Sequence, residues 1–322
     1  METRPFTKIL VTGAGGQIGS ELVPALRARY GAANVVASDV RADAASRLGG
    51  PFEAFDVTDR RAFEAVLDKY GVDAVFHLAA LLSATGEKNP RRCWDVNIGG
   101  LCHVLELGRE RDLARVVYPS SIAAFGPETP RDRAPQDTVL KPRTIYGITK
   151  VAGELLGDYY FYKYGLDCRG LRYPGIISAE APPGGGTTDY AVEIFYAAVK
   201  GEPFTCFVRE DTTLPMMYMP DCLKSVLTLA EADVARLRHH CDFNVTAMSF
   251  SAGELAAAIR KHVPDLKVEY KPDFRQEIAD SWPRSVDDTA AREEWGWQPD
   301  YGLDAMVKDM LRKLTARLKE GR

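Results

Sequence analysis

Apolar and polar positions in the first half of the chain alternate between two textures. Lys8-Ile9-Leu10-Val11-Thr12 is a short apolar, β-branched run that ends at Gly13, and from Ile18 onward Leu22, Leu26 and Tyr30 recur at every fourth position. This predicts a strand, a glycine turn and a helix. Val35-Val36-Ala37-Ser38-Asp39 predicts a second strand with an acid at its C-terminal end. The alternation continues through strand 52–55, helix 59–70, strand 74–77, helix 89–111 and strand 115–118. Strands apolar on both faces and separated by amphipathic helices belong to a parallel sheet covered on both sides. The expected fold class is α/β, a doubly wound (Rossmann) parallel sheet.

A helical pattern over 145–164 leads into strand 168–172, after which Pro174-Gly175 and Ala181-Pro182-Pro183-Gly184-Gly185-Gly186 break all periodicity. The lobe boundary is placed near 174. Helices are expected at 188–200, 220–231, 251–262, 287–295 and 302–319, with a strand at 267–270. The Rossmann domain then takes 1–173 with a return near 216–245, and a smaller α+β substrate lobe takes 174–215 and 246–322. At ~150 residues per domain, 322 residues fit about two such units.

Composition narrows the function classes. With 46% hydrophobic and 27% charged residues the chain is an ordinary globular protein, which excludes disordered and collagenous classes. Acidic residues outnumber basic ones 45 to 41, so no basic field exists to hold a nucleic acid. No stretch approaches the ~20 apolar residues of a membrane span, and the start lacks an apolar signal region. The expected compartment is the cytoplasm, or an organelle after processing. Six scattered cysteines without a C-x-x-C pair suit reduced, buried thiols, and His239-His240 lack spaced partner ligands, so no metal site is expected.

Gly13-Ala14-Gly15-Gly16-Gln17-Ile18-Gly19 sits at the junction of the first strand and first helix. Gly13, Gly16 and Gly19 follow at intervals of three, which suits a tight turn, backbone N–H groups close to a pyrophosphate, and close helix–sheet contact. The helix N-terminus adds partial positive charge. Asp39, 20 residues beyond Gly19, is placed to accept hydrogen bonds from ribose hydroxyls and to repel a 2′-phosphate, so NAD is expected over NADP, although Arg41 softens that preference. Asp56-Val57 stands where it either reaches the adenine or caps a turn.

Tyr146 and Lys150 form a Y-x-x-x-K pair near the start of a helix, so both side chains share one face. A free phenol has a pKa of ~10, and a neighbouring ammonium stabilises its phenolate. Tyr146 can then take a hydroxyl proton while hydride leaves carbon for the nicotinamide. Pro119-Ser120-Ser121 closes a sheet strand, where a serine hydroxyl either donates to a developing oxyanion or caps a turn.

Taken together, the glycine triplet, Asp39, His77-Leu78-Ala79-Ala80, Asn97, Ser121 with its following Phe125-Gly126, and Tyr146/Lys150 resemble the extended short-chain dehydrogenase/reductases over nearly the whole chain. The resemblance implies that Ser121, Tyr146 and Lys150 are catalytic, that Lys150 also holds the nicotinamide ribose, and that Asn97 bends its helix. It places cofactor contacts at Gly13, Gly16, Gln17, Ile18, Gly19, Asp39, Asp56, Val57, Leu78, Ala79, Ala80, Asn97, Tyr146, Lys150, Tyr173, Gly175 and Ile176, with Arg172 to Gly175 lining the nicotinamide.

Nucleotide-sugar members of that family carry an asparagine where Gly175 stands and a phosphate-holding arginine where Leu214 stands. A buried diphosphate without cations is expensive to desolvate. Instead, Leu81 to Glu87, Leu171 to Ile177, Pro183 to Tyr190, Leu214 to Asp221 and Ser281 to Ser285 closely resemble the short-chain type of L-threonine 3-dehydrogenase. That likeness implies NAD-dependent oxidation of L-threonine to 2-amino-3-oxobutyrate, with Tyr146 as base and no metal.

Such a substrate needs short donors for its carboxylate, and Ser83, Thr187 and Thr188 qualify. Asp189 either meets the ammonium or caps the following helix, and Trp282 either walls the pocket or lies in the core. Gly184-Gly185-Gly186 is either a loop that closes over substrate or a plain turn. The aromatic surface of helix 145–164 (Tyr159, Tyr160, Tyr162, Tyr164), with the family's habit of pairing this helix and helix 89–111, implies a homodimer. Two alternatives stand beside the dehydrogenase: a nucleotide-sugar 4-epimerase or dehydratase with tightly bound NAD, and a non-catalytic NAD sensor.

Overall fold

The computed structural model describes residues 2–182 and 184–319; Pro183, in the proline-glycine loop, lies outside the described residues. Six strands lead into the central sheet: β1 (Ile9–Thr12), β2 (Val35–Asp39), β3 (Phe52–Ala54), β4 (Ala74–His77), β5 (Arg115–Ser121) and β6 (Cys168–Tyr173). Between them lie α1 (Gly19–Tyr30), α2 (Ala44–Leu48), α3 (Arg60–Tyr70), α4 (Ser83–Lys88), α5 (Pro90–Trp94), α6 (Gly100–Glu110) and α7 (Ile145–Tyr164). Beyond β6 come β7 (Gly175–Ile177), α8 (Tyr190–Lys200), β8 (Phe204–Cys206), β9 (Thr213–Tyr218), α9 (Met219–Glu231), β10 (Phe243–Asn244) and β11 (Met248–Ser251). The chain ends with α10 (Ala252–Arg260), β12 (Val268–Tyr270), α11 (Arg275–Asp280), α12 (Thr289–Trp295) and α13 (Leu303–Lys319).

The seven-stranded sheet runs in the order β10-β6-β5-β4-β1-β2-β3, with every pair parallel. The fold is a doubly wound α/β sheet. Chain direction across the sheet reverses between β1 and β4, and ligands of such sheets bind in the crevice outside the strand C-termini at that point. A second sheet, β11-β9-β7, and a two-stranded pair, β12-β8, extend beyond it.

Local chemistry sets the element boundaries. Asp59 caps α3 by accepting from the Arg61 and Ala62 N–H groups, and Gly71 in the left-handed region ends it. Phe63, Val66 and Leu67 on that helix are buried, each contributing on the order of 2 kcal/mol of apolar transfer. Thr144 caps α7 by accepting from Gly147 N, and Gly165 terminates it.

The expected single helix over 89–111 is broken. Ser83 to Lys88 already forms the short α4, Asn89 caps α5, and a π-type turn over Asp95–Gly99 separates α5 from α6. The cause is Asn97, which is buried and turns its amide out of the helix to the loop at Leu81. All six cysteines are free, as their scatter suggests. No described helix is long and apolar enough to cross a membrane.

Candidate active site

The glycine loop packs where side chains cannot fit. Gly13 has φ +67°, and a Cβ there would lie 2.6 Å from the Ala79 nitrogen; one at Gly19 would lie 2.5 Å from the Gly13 carbonyl. At Gly16 a Cβ would meet only the Gly13 carbonyl, at 3.2 Å, so the loop is open on that side. Ile18 stands at the N-cap of α1 without a side-chain capping bond, and the turn is held by backbone alone, Ser20 N donating to the Gly16 carbonyl at 3.0 Å and Glu21 N to the Ile18 carbonyl at 3.2 Å. Gln17 donates to the Ile176 carbonyl at 3.3 Å and ties the loop to β7.

Asp39 is buried at the end of β2. Its Oδ2 accepts from Gly15 N at 2.9 Å, and its Oδ1 accepts from the Arg41 N–H at 3.0 Å and from Arg41 Nε at 3.2 Å. A carboxylate offers about four lone-pair positions, so Asp39 retains capacity for ribose hydroxyls. Arg41 donates onward to the Gly15 carbonyl at 2.7 Å, which fastens the second strand to the glycine loop. Asp56 stands apart from the reacting groups. It accepts from the Thr58 N–H and hydroxyl and from Arg92 at 2.6 Å; burial opposes its ionisation, but these donors hold its carboxyl below the usual range. The Val57 carbonyl lies 3.0 Å from His103 Nδ1.

A narrow cleft over the ends of β4 and β5 is lined by Leu78, Ala79, Ala80, Asn97, Ser120 and Lys150, among others. Asn97 donates to the Leu81 carbonyl at 3.1 Å and to Thr149 Oγ at 3.2 Å, and accepts from Leu81 N at 2.8 Å, so it joins the cleft loop to α7. His77 Nδ1 lies 2.8 Å from Thr12 Oγ, while its buried Nε2 has no protein partner. Burial, with Lys150 and His103 nearby, pulls the His77 imidazole down to about 3. It is neutral at physiological pH.

Of the three residues expected to react, Lys150 lines this cleft, whereas Ser121 and Tyr146 are not among its lining residues. Lys150 Nζ donates to the Pro119 carbonyl at 2.7 Å and lies 5.2 Å from the centre of the Tyr146 ring. Burial pulls its ammonium down to about 8, against the opposing pull of Cys93 and Glu154. Ser121 accepts from Ala123 N at 3.2 Å, capping a turn, and its hydroxyl faces the Tyr146 phenol. The lysine was expected to depress that phenol. Instead burial pushes it up to about 12, with Ser121 opposing and Cys93 adding to the rise.

Substrate candidates from distant segments also meet. Ser83 Oγ lies 2.9 Å from Thr187 Oγ and accepts from Thr187 N at 3.3 Å. Thr188 packs against Gly175, where a Cβ would stand 2.9 Å from it and 2.3 Å from Met216 Sδ. Asp189 occupies the N-cap position of α8 without a side-chain capping bond; its Oδ2 accepts from the Gly185 and Gly186 N–H groups, each at 2.8 Å. Trp282 is buried in the same apolar cluster as Tyr146 and Cys93. Tyr173 donates its hydroxyl to the Cys222 carbonyl of α9 at 3.1 Å.

Residues 9–245 match the NAD dependent epimerase/dehydratase family. The chain belongs to that family. An uncharacterized epimerase/dehydratase of Staphylococcus saprophyticus is 47% identical over 315 residues, spanning 97% of this chain and 98% of the relative. The solved L-threonine dehydrogenase of Clostridium difficile is 50% identical with a TM-score of 0.94, covering 98% of this chain and 99% of that one. A monomeric L-threonine 3-dehydrogenase from a metagenome is 46% identical with a TM-score of 0.93, over 96% of this chain and 99% of that one.

NAD is the cofactor of this family, and the uncapped α1, the open side of Gly16 and the buried Asp39 fit it. Leu214, where nucleotide-sugar members carry their arginine, is buried in the apolar cluster around Tyr190 and Phe250. Among the described residues no group of three or more His, Cys, Asp or Glu is placed to hold a metal ion. Arg172 departs from expectation. Its guanidinium turns away from the cleft to pair with Glu154, at 2.9 Å from both carboxylate oxygens, and with Asp242 at 3.3 Å. Sequence reasoning also passed over Glu154 and Cys93. The one available signal was Glu154 at eight residues from Tyr146 and four from Lys150, on the same helical face.

Proposed function

We propose that this chain is an NAD-dependent L-threonine 3-dehydrogenase. The single observation that carries the reading is the short-donor pair Ser83 and Thr187, 2.9 Å apart, at the start of α4, the helix whose Glu87 accepts from Ile145 N at 2.7 Å and so docks beside Tyr146 and Lys150; such short donors suit a small zwitterion rather than a diphosphate. Similarity at about half identity to solved L-threonine dehydrogenases supports it.

In this reading Ser83, Thr187 and Thr188 hold the substrate carboxylate. Asp189 acts indirectly, by fastening the Gly185 and Gly186 N–H groups so that Thr187 and Thr188 face the cleft. Tyr146 takes the proton of the C3 hydroxyl, and Ser121 donates to the oxygen as charge builds on it. Lys150 keeps positive charge beside the phenolate and holds the ribose. When bound, NAD accepts the hydride from C3. The balance is threonine plus NAD⁺ giving 2-amino-3-oxobutyrate, NADH and one proton, and no metal enters it.

Purified protein mixed with NAD and a panel of amino acids tests the proposal. NADH should accumulate with L-threonine, and an enzyme that releases no net NADH while interconverting a sugar nucleotide would be an epimerase instead. Leu214 argues against the epimerase because a buried apolar side chain stands where that activity's arginine is expected.

We further propose a homodimer formed through α7. Leu155, Tyr159 and Tyr162 are exposed along that helix, whereas Tyr160 is buried and bonds to Glu106. Sedimentation should give twice the 35.5 kDa chain mass; a single-chain mass would overturn the assignment.

A further inference from the structure

Three consecutive residues of β5 face three residues of α7 spaced one turn apart, and two of the three pairs are hydrogen-bonded. Pro119 accepts from Lys150 and Ser120 donates to Glu154, while Ser121, next in the strand, faces Tyr146. Glu154 is the buried anchor of this ladder, at 3% exposure, and Arg172 of β6 closes on it with two bonds of 2.9 Å. Arg172 is itself held by the Gln136 carbonyl at 2.9 Å and by Asn244 Oδ1 and Asp242 at 3.3 Å each.

A buried ion pair is a poor way to gain stability, because desolvation consumes most of its attraction. Its use is to fix geometry. We propose that Glu154 is a positioning residue for the reaction: clamped by Arg172, it holds Ser120 and thereby sets Ser121 and Lys150 against Tyr146. The inference rests on the reading of Tyr146 as the base.

The groups facing the ladder come from several elements. Tyr146 is faced by Ser121 of β5, Cys93 of α5 and Lys150 on its own helix. Lys150 is faced by Cys93, by Glu154 and by His77 of β4, and Glu154 by Arg172, Asp242 and Asp158. Burial pushes the phenol up and Ser121 opposes it, so a ladder that lets Ser121 drift from the ring raises the phenol further.

Ser120→Ala tests this most cleanly, because it removes the hydroxyl and leaves the Glu154–Arg172 pair intact. The Tyr146 phenol is titrated by ultraviolet difference against Tyr146→Phe, with NAD present and no substrate. Its midpoint should rise by about one unit, a tenfold loss of phenolate. With threonine, kcat should fall about tenfold while KM for NAD stays within about twofold. Glu154→Gln should also lower kcat; should it fail to fold, Ser120→Ala carries the test.

An unshifted titration and unchanged kcat in Ser120→Ala overturn the clamp, even where the wild type oxidises threonine. A shifted titration in a protein that does not oxidise threonine supports the clamp and overturns the substrate reading instead.

Discussion

Ser83 and Thr187 meet hydroxyl to hydroxyl at 2.9 Å although 104 residues separate them in the chain. One comes from the segment after β4 and the other from the glycine-rich loop before α8, so the pair joins two segments around the proposed carboxylate site. Ser83→Ala removes one donor to a charged group, which is worth roughly 1.5–3 kcal/mol, or about ten- to a hundredfold in affinity. KM for threonine should rise by that factor with KM for NAD unchanged. Steady-state kinetics in both substrates check it, and an effect on NAD alone would move Ser83 out of the substrate site.

Tyr146→Phe removes the hydroxyl and little else from a buried ring. Loss of a positioned general base costs roughly 10²–10⁴-fold in rate. Turnover should fall by that range while calorimetry shows NAD affinity essentially intact. Ordinary turnover in this variant would remove Tyr146 as the base.

Asp39→Ala should weaken NAD binding and narrow its advantage over NADP. Two effects act in the same direction: the ribose loses an acceptor, and the glycine loop loses its bond from Gly15 N to Asp39 Oδ2. Arg41, released from Asp39, is then available to a 2′-phosphate. Dissociation constants for both dinucleotides measure this, and an unchanged ratio would place Asp39 away from the ribose.

His77 gives the fold an acid-sensitive point. Its folded pKa of about 3 lies below the ordinary 6.5, so the unfolded chain binds the proton more readily. The neutral ring's contribution is complete above pH 6.5 and is lost as pH falls toward 3. By about pH 5 the loss amounts to about 2 kcal/mol. Chemical denaturation at pH 7 and pH 5 should show this drop, and His77→Asn should reduce it; equal pH slopes in the two proteins would exclude His77 as the cause.

What the sequence made legible was local. The run from Lys8 to Gly19 encodes strand, turn and helix within a dozen residues, and the Tyr146/Lys150 pair is fixed by helical spacing alone. What stayed hidden depends on long-range pairing. The break at Asn97 arises because its amide is drawn to Leu81, and the inward turn of Arg172 needs Glu154 from α7 and Asn244 from β10 together. The phenol was misjudged for the same reason. Charge proximity can be read from spacing, but the burial that outweighs it appears only once residues as distant in sequence as Ile122, Ile177 and Trp282 pack into one apolar cluster with the ring.

Transfer of label from L-threonine deuterated at C3 tests the central claim most directly. Incubation with NAD should yield NADH carrying deuterium on the nicotinamide ring, with 2-amino-3-oxobutyrate or its decarboxylation product formed in equal amount. Threonine recovered with its deuterium intact, and no labelled NADH, would contradict the assignment.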